Sequence, residues 1–256
     1  MTKNIAGCLQ DFESISLKAL DAFKLMNRVD TKYIFNRSQL VDILDKIKYN
    51  YKVLEINQQR LFNYESLYFD TPAYNFYFDH HNCRSNRIKV RFRKYVDTGD
   101  VYFEIKKRVN GERTDKYRVK TNAINHKLLA DEVNLMQSLS LQEQTLENKV
   151  WINYKRITLA SLSSQERVTI DMDMSFEKDG KLIGFSDLIV AEVKQDRFSR
   201  LSSFTYEMRK NIIPDFRISK YAIAVAMMEQ GIKSNAFKYK INKLLKVNNG
   251  NIRTSK

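Results

Sequence analysis

Polar and apolar residues alternate along six short stretches of this chain, and the polar partner is charged each time. In Arg87-Ile88-Lys89-Val90-Arg91-Phe92-Arg93 the four cations share one parity and the three apolar residues the other. Successive side chains of a β-strand point to opposite faces, so this segment builds one cationic and one apolar face. The pattern recurs in Glu104/Lys106/Arg108, Lys116/Arg118/Lys120 and Glu192/Lys194, and more briefly in Asp30/Lys32 and Arg167/Asp171/Asp173.

Around these stretches the periodicity predicts a first strand over 28–36 and then a helix capped by Ser38, with Leu40, Val41, Leu44 and Ile47 at helical spacing. A strand over 61–72 stops at Pro72, and Tyr74 to His81 reads as a short aromatic helix or turn. Strands follow at 87–96, 101–109 and 115–120, joined by Asp97-Thr98-Gly99-Asp100 and Asn110-Gly111, which are hairpin signals. Residues 125–149 lose the alternation and read as one or two helices; strands resume at 151–160, 166–174 and 186–195. Lys178-Asp179-Gly180-Lys181 reads as a turn into a short strand at 181–184. A helix begins at Ser219-Lys220, a basic helix covers 234–247, and the tail reads as frayed. With no repeat and no boundary, residues 1–256 read as one α+β domain dominated by antiparallel strands, with a helical, basic C-terminal extension over 234–256.

Composition adds a sign to that picture. Hydrophobic residues at 43% support a packed core, and a formal charge of +14 points to an anionic partner. A lysine-rich background scatters charge; it does not place it on every second residue. Cys8 and Cys83 form no CxxC, the N-terminus has no signal-peptide core, and no apolar run of membrane-spanning length exists, so a cytoplasmic protein is expected.

An ordinary solvent face mixes Thr, Ser, Glu and Lys, whereas the 87–93 face is wholly basic. Like charges at adjacent same-face positions repel unless an anion compensates them. A barrel closed with its charged faces inward, flanked by helices outside, resolves the conflict. Arg and Lys are donors suited to phosphoryl oxygens: Arg91 and Arg93 clamp one phosphate while Lys89, Lys106 and Lys116 meet others. Glu104 and Glu192 each precede a same-face lysine by two residues; Glu192 is the better ligand for a hard divalent cation, and Glu104 reads equally as an ion-pair partner. For Asp171 and Asp173 ion pairs with a neighbouring strand are expected. His80 and His81 read as structural or peripheral, and Trp151, Tyr154 and the aromatic run 74–78 as core. No Walker, Rossmann or nucleophile-elbow motif is present.

Taken in order, RVDTKY (28–33), SLYFDTP (66–72), the stretch His80 to Arg93, YFEIKK (102–107), KYRVK (116–120), YKR (154–156), RVTIDMDM (167–174), AEVK (191–194) and SKY (219–221) resemble the VTC (vacuolar transporter chaperone) domain. That domain is the polyphosphate polymerase member of the CYTH-like triphosphate tunnel metalloenzymes, and the resemblance runs from about 28 to 225. It implies a basic antiparallel β-barrel tunnel in which the γ-phosphoryl group of ATP moves to the end of a polyphosphate chain. It also implies a divalent metal, Mn²⁺ or Mg²⁺, held by Glu192. Lys32, Arg91, Arg93, Lys106 and Lys220 then meet the transferred group. Lys116, Arg156 and Arg167 hold the rest of the substrate, joined by Lys89, Arg118 and Lys194. Two features depart from the pattern. The family's ExExK signature is reduced to Asp30-x-Lys32, and Cys83 stands where a glycine is expected. A triphosphatase, a polyphosphate-binding module without catalysis and a general nucleic-acid binder are the competing readings. The last requires aromatic platforms beside outward basic residues, and no specific nucleic acid is expected.

Overall fold

The computed structural model describes residues 4–21, 29–110, 113–141, 145–250 and 252–255. Twelve strands run in chain order as β1 (Glu13–Ile15), β2 (Val29–Asn36), β3 (Tyr51–Leu54), β4 (Phe62–Asp70), β5 (Arg87–Tyr95), β6 (Val101–Val109), β7 (Arg113–Thr121), β8 (Glu147–Ser161), β9 (Glu166–Lys178), β10 (Lys181–Phe185), β11 (Leu188–Gln195) and β12 (Ile252–Ser255). Eight helices accompany them: α1 (Ile5–Gln10), α2 (Leu17–Asp21), α3 (Leu40–Ile47), α4 (Asn75–His81), α5 (Ala130–Ser138), α6 (Ser203–Lys210), α7 (Lys220–Met228) and α8 (Lys238–Val247).

The wall that carries the alternating charges is one antiparallel run, β2-β11-β9-β8-β4-β5-β6-β7. Strand β9 is long enough to serve two partners on one edge: residues 166–171 pair with β11 and residues 174–178 with β10. The handover falls at Asp173, whose φ is +50° and where the β8–β9 register slips. Such a bulge bends the strand and turns the following side chains over. Met172 therefore lies in the outer core and Met174 in the inner one.

Helices cover the convex apolar face in two patches. Near β5 and β6, Val90, Phe92, Phe103 and Ile105 pack with Met136 of α5 and Phe76 of α4. Near β9 and β11, Ile170, Met172, Ile189 and Val193 pack with side chains of α1, α3 and α6. Helix α7, apolar all round, lies on the concave side: Tyr221 stacks on Tyr68 at 5.2 Å, and its hydroxyl donates to the buried Asp70 carboxylate. That carboxylate also accepts the backbone N–H groups of Phe76 and Tyr77 in α4, which ties the two helices together.

Four expectations change. The barrel is not closed: among the described residues β2 pairs only with β11 and β7 only with β6. At the outer edge of β2, Tyr33 bridges to Asp215 and Phe216 N–H donates to the Lys32 carbonyl at 2.7 Å, so that edge is already engaged. The predicted helices over 125–149 reduce to α5, because residues from Glu147 onward pair with β4 in β8, and tertiary pairing overrides local propensity there; residues 142–144 lie outside the described set. The tail is not frayed or helical at its end, since β12 pairs with the otherwise open edge of β10. Asp173 does not share a face with Asp171 but leaves the wall at the bulge to meet Arg37 and Lys155. The Lys178–Lys181 turn forms as expected, with Asp179 and Gly180 at φ +50° and +75°, the left-handed pair that suits a two-residue hairpin. The Asn110-Gly111 turn lies partly outside the described residues, as does position 28 at the start of the first predicted strand.

Candidate functional site: the cationic concave wall

Register carries the charged parity from strand to strand. Lys89 faces Lys106, which faces Lys116; Arg91 faces Glu104, which faces Arg118. On the other flank Lys32 faces Glu192, which faces Thr169, while Asp30, Lys194 and Arg167 form the next row. Arg156 and Asp171 are opposite each other between the two flanks. Every candidate predicted from the sequence except Lys220 thus lies on this one face, and Lys220 reaches it from the first position of α7.

The curl brings the flanks within electrostatic reach. Burial lowers Lys89 to about 7, helped by Lys32 across the concavity and by Arg91 and Arg87 beside it. Burial also drives Lys106 well below the lysine range, with Arg91 and Lys194 acting in the same direction. Neither lysine has a carboxylate at contact distance among the described residues. Lys116 is lowered to about 8 by burial, against the pull of Glu104.

Four carboxylates trim this field. Glu104 is fully buried; burial pushes its carboxyl up, yet Arg91, Arg93 and Lys116 hold it well below the usual range. The ion-pair reading of Glu104 is therefore the one the structure bears out. Asp171 accepts Arg156 at 2.5 and 2.8 Å and Lys220 at 2.6 Å, and these two cations hold it at about 2 against its burial. Glu192 contacts Lys32 at 2.9 Å and Lys194 at 3.1 Å, and Lys194 also meets Asp30 at 3.5 Å. Arg167 donates to the Leu20 carbonyl of α2 at 2.6 Å, which places that helix beside the wall.

Tyrosines line the wall between the charges; Tyr154 is buried in the inner core, as expected, and also meets these cations. Arg93 lies 5.6 Å from the Tyr64 ring centre, Arg156 lies 5.1 Å from both Tyr64 and Tyr154, and Lys220 lies 5.2 Å from Tyr154. Tyr64, Tyr68 and Tyr102 occupy the polar parity of their strands, so the signal was present in NYESLYF and VYFEIK. His81 is held by Asn82 and Asn235, a structural role, and His80 is peripheral, beside Lys89 and Arg87.

Ser66 Oγ, Arg93 Nε and Thr169 Oγ1 are buried on this face without a hydrogen-bond partner. Buried polar atoms are nearly always satisfied, so a set left open among the described residues on one cationic wall is unusual. No cluster of three metal-ligating side chains occurs among the described residues. Glu192 and Asp30 are nonetheless diagonal neighbours offering only hard oxygen, a donor set that fits a divalent cation completed by phosphate oxygens and water.

A curved antiparallel sheet with a cationic, carboxylate-trimmed concave face and helices packed on its convex face is thus the frame of the site. The chain belongs to the VTC domain family, whose model matches residues 27–229. Among solved structures, it is similar to a putative adenylate cyclase from Bacillus halodurans, at 9% identity and a TM-score of 0.50, over 80% of this chain and 98% of that one. It is also similar to a putative adenylyl cyclase from Hippeastrum described as having dominant triphosphatase activity, at 12% identity and a TM-score of 0.47, over 79% and 96% of the two chains. A putative adenylate cyclase from Vibrio parahaemolyticus matches at 12% identity and a TM-score of 0.46, over 78% and 98%. No curated protein matches the sequence significantly. No helix among the described residues is long and apolar enough to cross a membrane.

Proposed function

We propose that the concave wall binds a nucleoside triphosphate and transfers its γ-phosphoryl group to the terminal phosphate of inorganic polyphosphate. The observation that carries this reading is the carboxylate-free pair Lys89 and Lys106, facing Lys32 and Lys194 across the same concavity. Lys89 and Lys106, held this close to other cations with no carboxylate in contact among the described residues, are costly to charge until an anion neutralises them. Several rows of wall cations match several phosphates in line.

Lys32, Arg91, Arg93, Lys106 and Lys220 are assigned to the reacting phosphates, and Lys89, Lys116, Arg118, Arg156, Arg167 and Lys194 to the rest of the substrate. A terminal oxygen of the polyphosphate forms the new P–O bond as the bond from the γ-phosphorus to the β,γ-bridging oxygen breaks, and the nucleoside diphosphate leaves with that electron pair. The acceptor is already an anion, so no side chain has to remove a proton from it. The wall contributes positioning and charge neutralisation, the two effects that dominate phosphoryl transfer. Glu192, with Asp30 beside it, would hold Mg²⁺ or Mn²⁺, which when bound supplies further neutralisation of phosphate charge. Cys8, buried, and Cys83, exposed, are not disulfide-bonded, which fits a reducing cytoplasmic setting.

A triphosphatase is the second reading, favoured by α7. With Tyr221 stacked on Tyr68, this helix occupies part of the concavity that a threading polymer needs, and water then replaces the polyphosphate end. Incubating the protein with ATP and Mn²⁺ or Mg²⁺, and measuring chain formation against phosphate release, separates the two. The expected result is chain formation. Phosphate release alone selects the triphosphatase, and polyphosphate binding with neither product rejects both enzymes.

A further inference from the structure

Arg118 is a wall cation whose cross-strand partner is already taken. It faces Glu104 in the β6–β7 register, but Glu104 is engaged by Arg91 and Lys116. Arg118 is exposed, has no ion pair among the described residues, and sets its guanidinium 4.7 Å from the centre of the Tyr102 ring. Tyr102 is braced from behind: Tyr95 meets it edge-on at 5.9 Å and 86°, and Tyr95 rests on Tyr64 at 5.0 Å. Beyond them Lys120 is tied to Asp100 at 2.6 Å, so the row of wall cations available to phosphate ends at this rim.

We propose that Arg118 and Tyr102 form a platform for the purine base of a nucleoside triphosphate, whose phosphates run inward to Lys116, Arg91 and Arg93. The proposal rests on the triphosphate-binding reading and adds to it the residues that seat the base. A guanidinium spread over an aromatic ring offers a second flat face, and nucleobases stack on both kinds of surface. Tyr102 is two residues from Glu104 on the same strand face, a rise of about 7 Å, which is a reach suited to the nucleoside between base and α-phosphate. Stacking responds to ring area more than to base edges, so the platform favours purines and accepts adenine and guanine alike.

Calorimetric titration in Mg²⁺ with ATP, GTP and inorganic tripolyphosphate tests this on the wild type, Tyr102→Ala, Tyr102→Phe and Arg118→Lys. Stacking on one side chain is worth about tenfold in affinity. Tyr102→Ala is expected to weaken ATP and GTP by that factor while tripolyphosphate stays within about twofold. Tyr102→Phe keeps the ring and the ATP affinity. Arg118→Lys keeps the charge, loses the plane, and weakens the nucleotides alone. If Tyr102→Ala does not fold, Tyr102→Leu carries the same comparison. Equal weakening of ATP and tripolyphosphate, or no change in either, overturns the platform. Failure of tripolyphosphate to bind the wild type overturns the phosphate site beneath it, and the platform with it.

Discussion

Arg91 donates both Nε and Nη2 to one oxygen of Glu104, at 2.8 and 2.6 Å, while Lys116 takes the other oxygen from the next strand. A fully buried carboxylate thereby orients one arginine and one lysine across three adjacent strands. Glu104→Gln would leave two wall cations uncompensated, at a cost on the order of 3 kcal/mol. Urea denaturation is expected to show the loss, and saturating tripolyphosphate to restore much of it by mass action. An unaltered midpoint would mean that Glu104 does not hold the cations.

Arg93 is the informative contrast. It is buried, has no carboxylate partner among the described residues, and leaves Nε unsatisfied. Arg93→Met is therefore expected to keep or raise the urea midpoint of the unliganded protein, while tripolyphosphate affinity falls roughly 10–100-fold. Arg91→Met strips Glu104 of its main partner and should lower the midpoint as well as the affinity. Identical stability effects in the two variants would contradict the assigned difference.

The depressed lysines fix the sign of a pH effect. Lys89 titrates at about 7 and Lys116 at about 8 when folded, against about 10.4 in an unfolded chain. Between those values the unfolded chain binds more protons, so stability of the unliganded protein rises with pH from about 7 to about 10. A polyanion favours the ammonium forms, so binding at pH 8 takes up protons and weakens as pH rises further. Calorimetry in buffers of differing ionisation enthalpy measures that uptake; zero uptake would refute it.

Asp171 gives the opposite limb. Its folded value of about 2 lies below the 3.8 of a free aspartate, so its pairing with Arg156 and Lys220 stabilises the protein above about pH 4 and is lost as pH falls towards 2. Asp171→Asn should flatten the acid side of the stability profile. It should also release Lys220, altering polyanion affinity. A profile as steep as the wild type's would assign acid sensitivity elsewhere.

Glu192→Gln removes one hard oxygen charge from between Lys32 and Lys194. Metal-dependent turnover is expected to require a higher Mn²⁺ or Mg²⁺ concentration, while metal-free tripolyphosphate binding tightens because two lysines lose a competitor. Unchanged metal dependence would reject Glu192 as the ligand.

Much of the wall was legible in the sequence because β5, β6 and β7 obey a strict period of two, and hairpin registers then stack like parities. What resisted reading arose from long-range geometry. The bulge at Asp173 reverses the faces of β9 midway, and nothing in DMDMSFE announces it. The start of β8 is set by pairing with β4, and β12 is set by the free edge of β10, both partners distant in sequence. Closure failed as an expectation because alternation specifies the two faces of a sheet and leaves its end strands unspecified. Tyr154 was legible as core and is buried, but its contacts with Arg156 and Lys220 depend on which side of the sheet it faces, which apolarity alone does not specify.

The separation of the two end strands of the wall has a mechanical meaning. In a closed barrel, strand number and shear fix the diameter. With β2 and β7 sharing no ladder among the described residues, no hydrogen bond between those two strands fixes the girth of the concavity. Lys89 and Lys106 push away from Lys32 and Lys194 when nothing lies between them, and a threaded anion reverses that push. The charge of the cargo thus sets the grip, and a compliant wall of this kind suits a substrate whose length and ionisation vary.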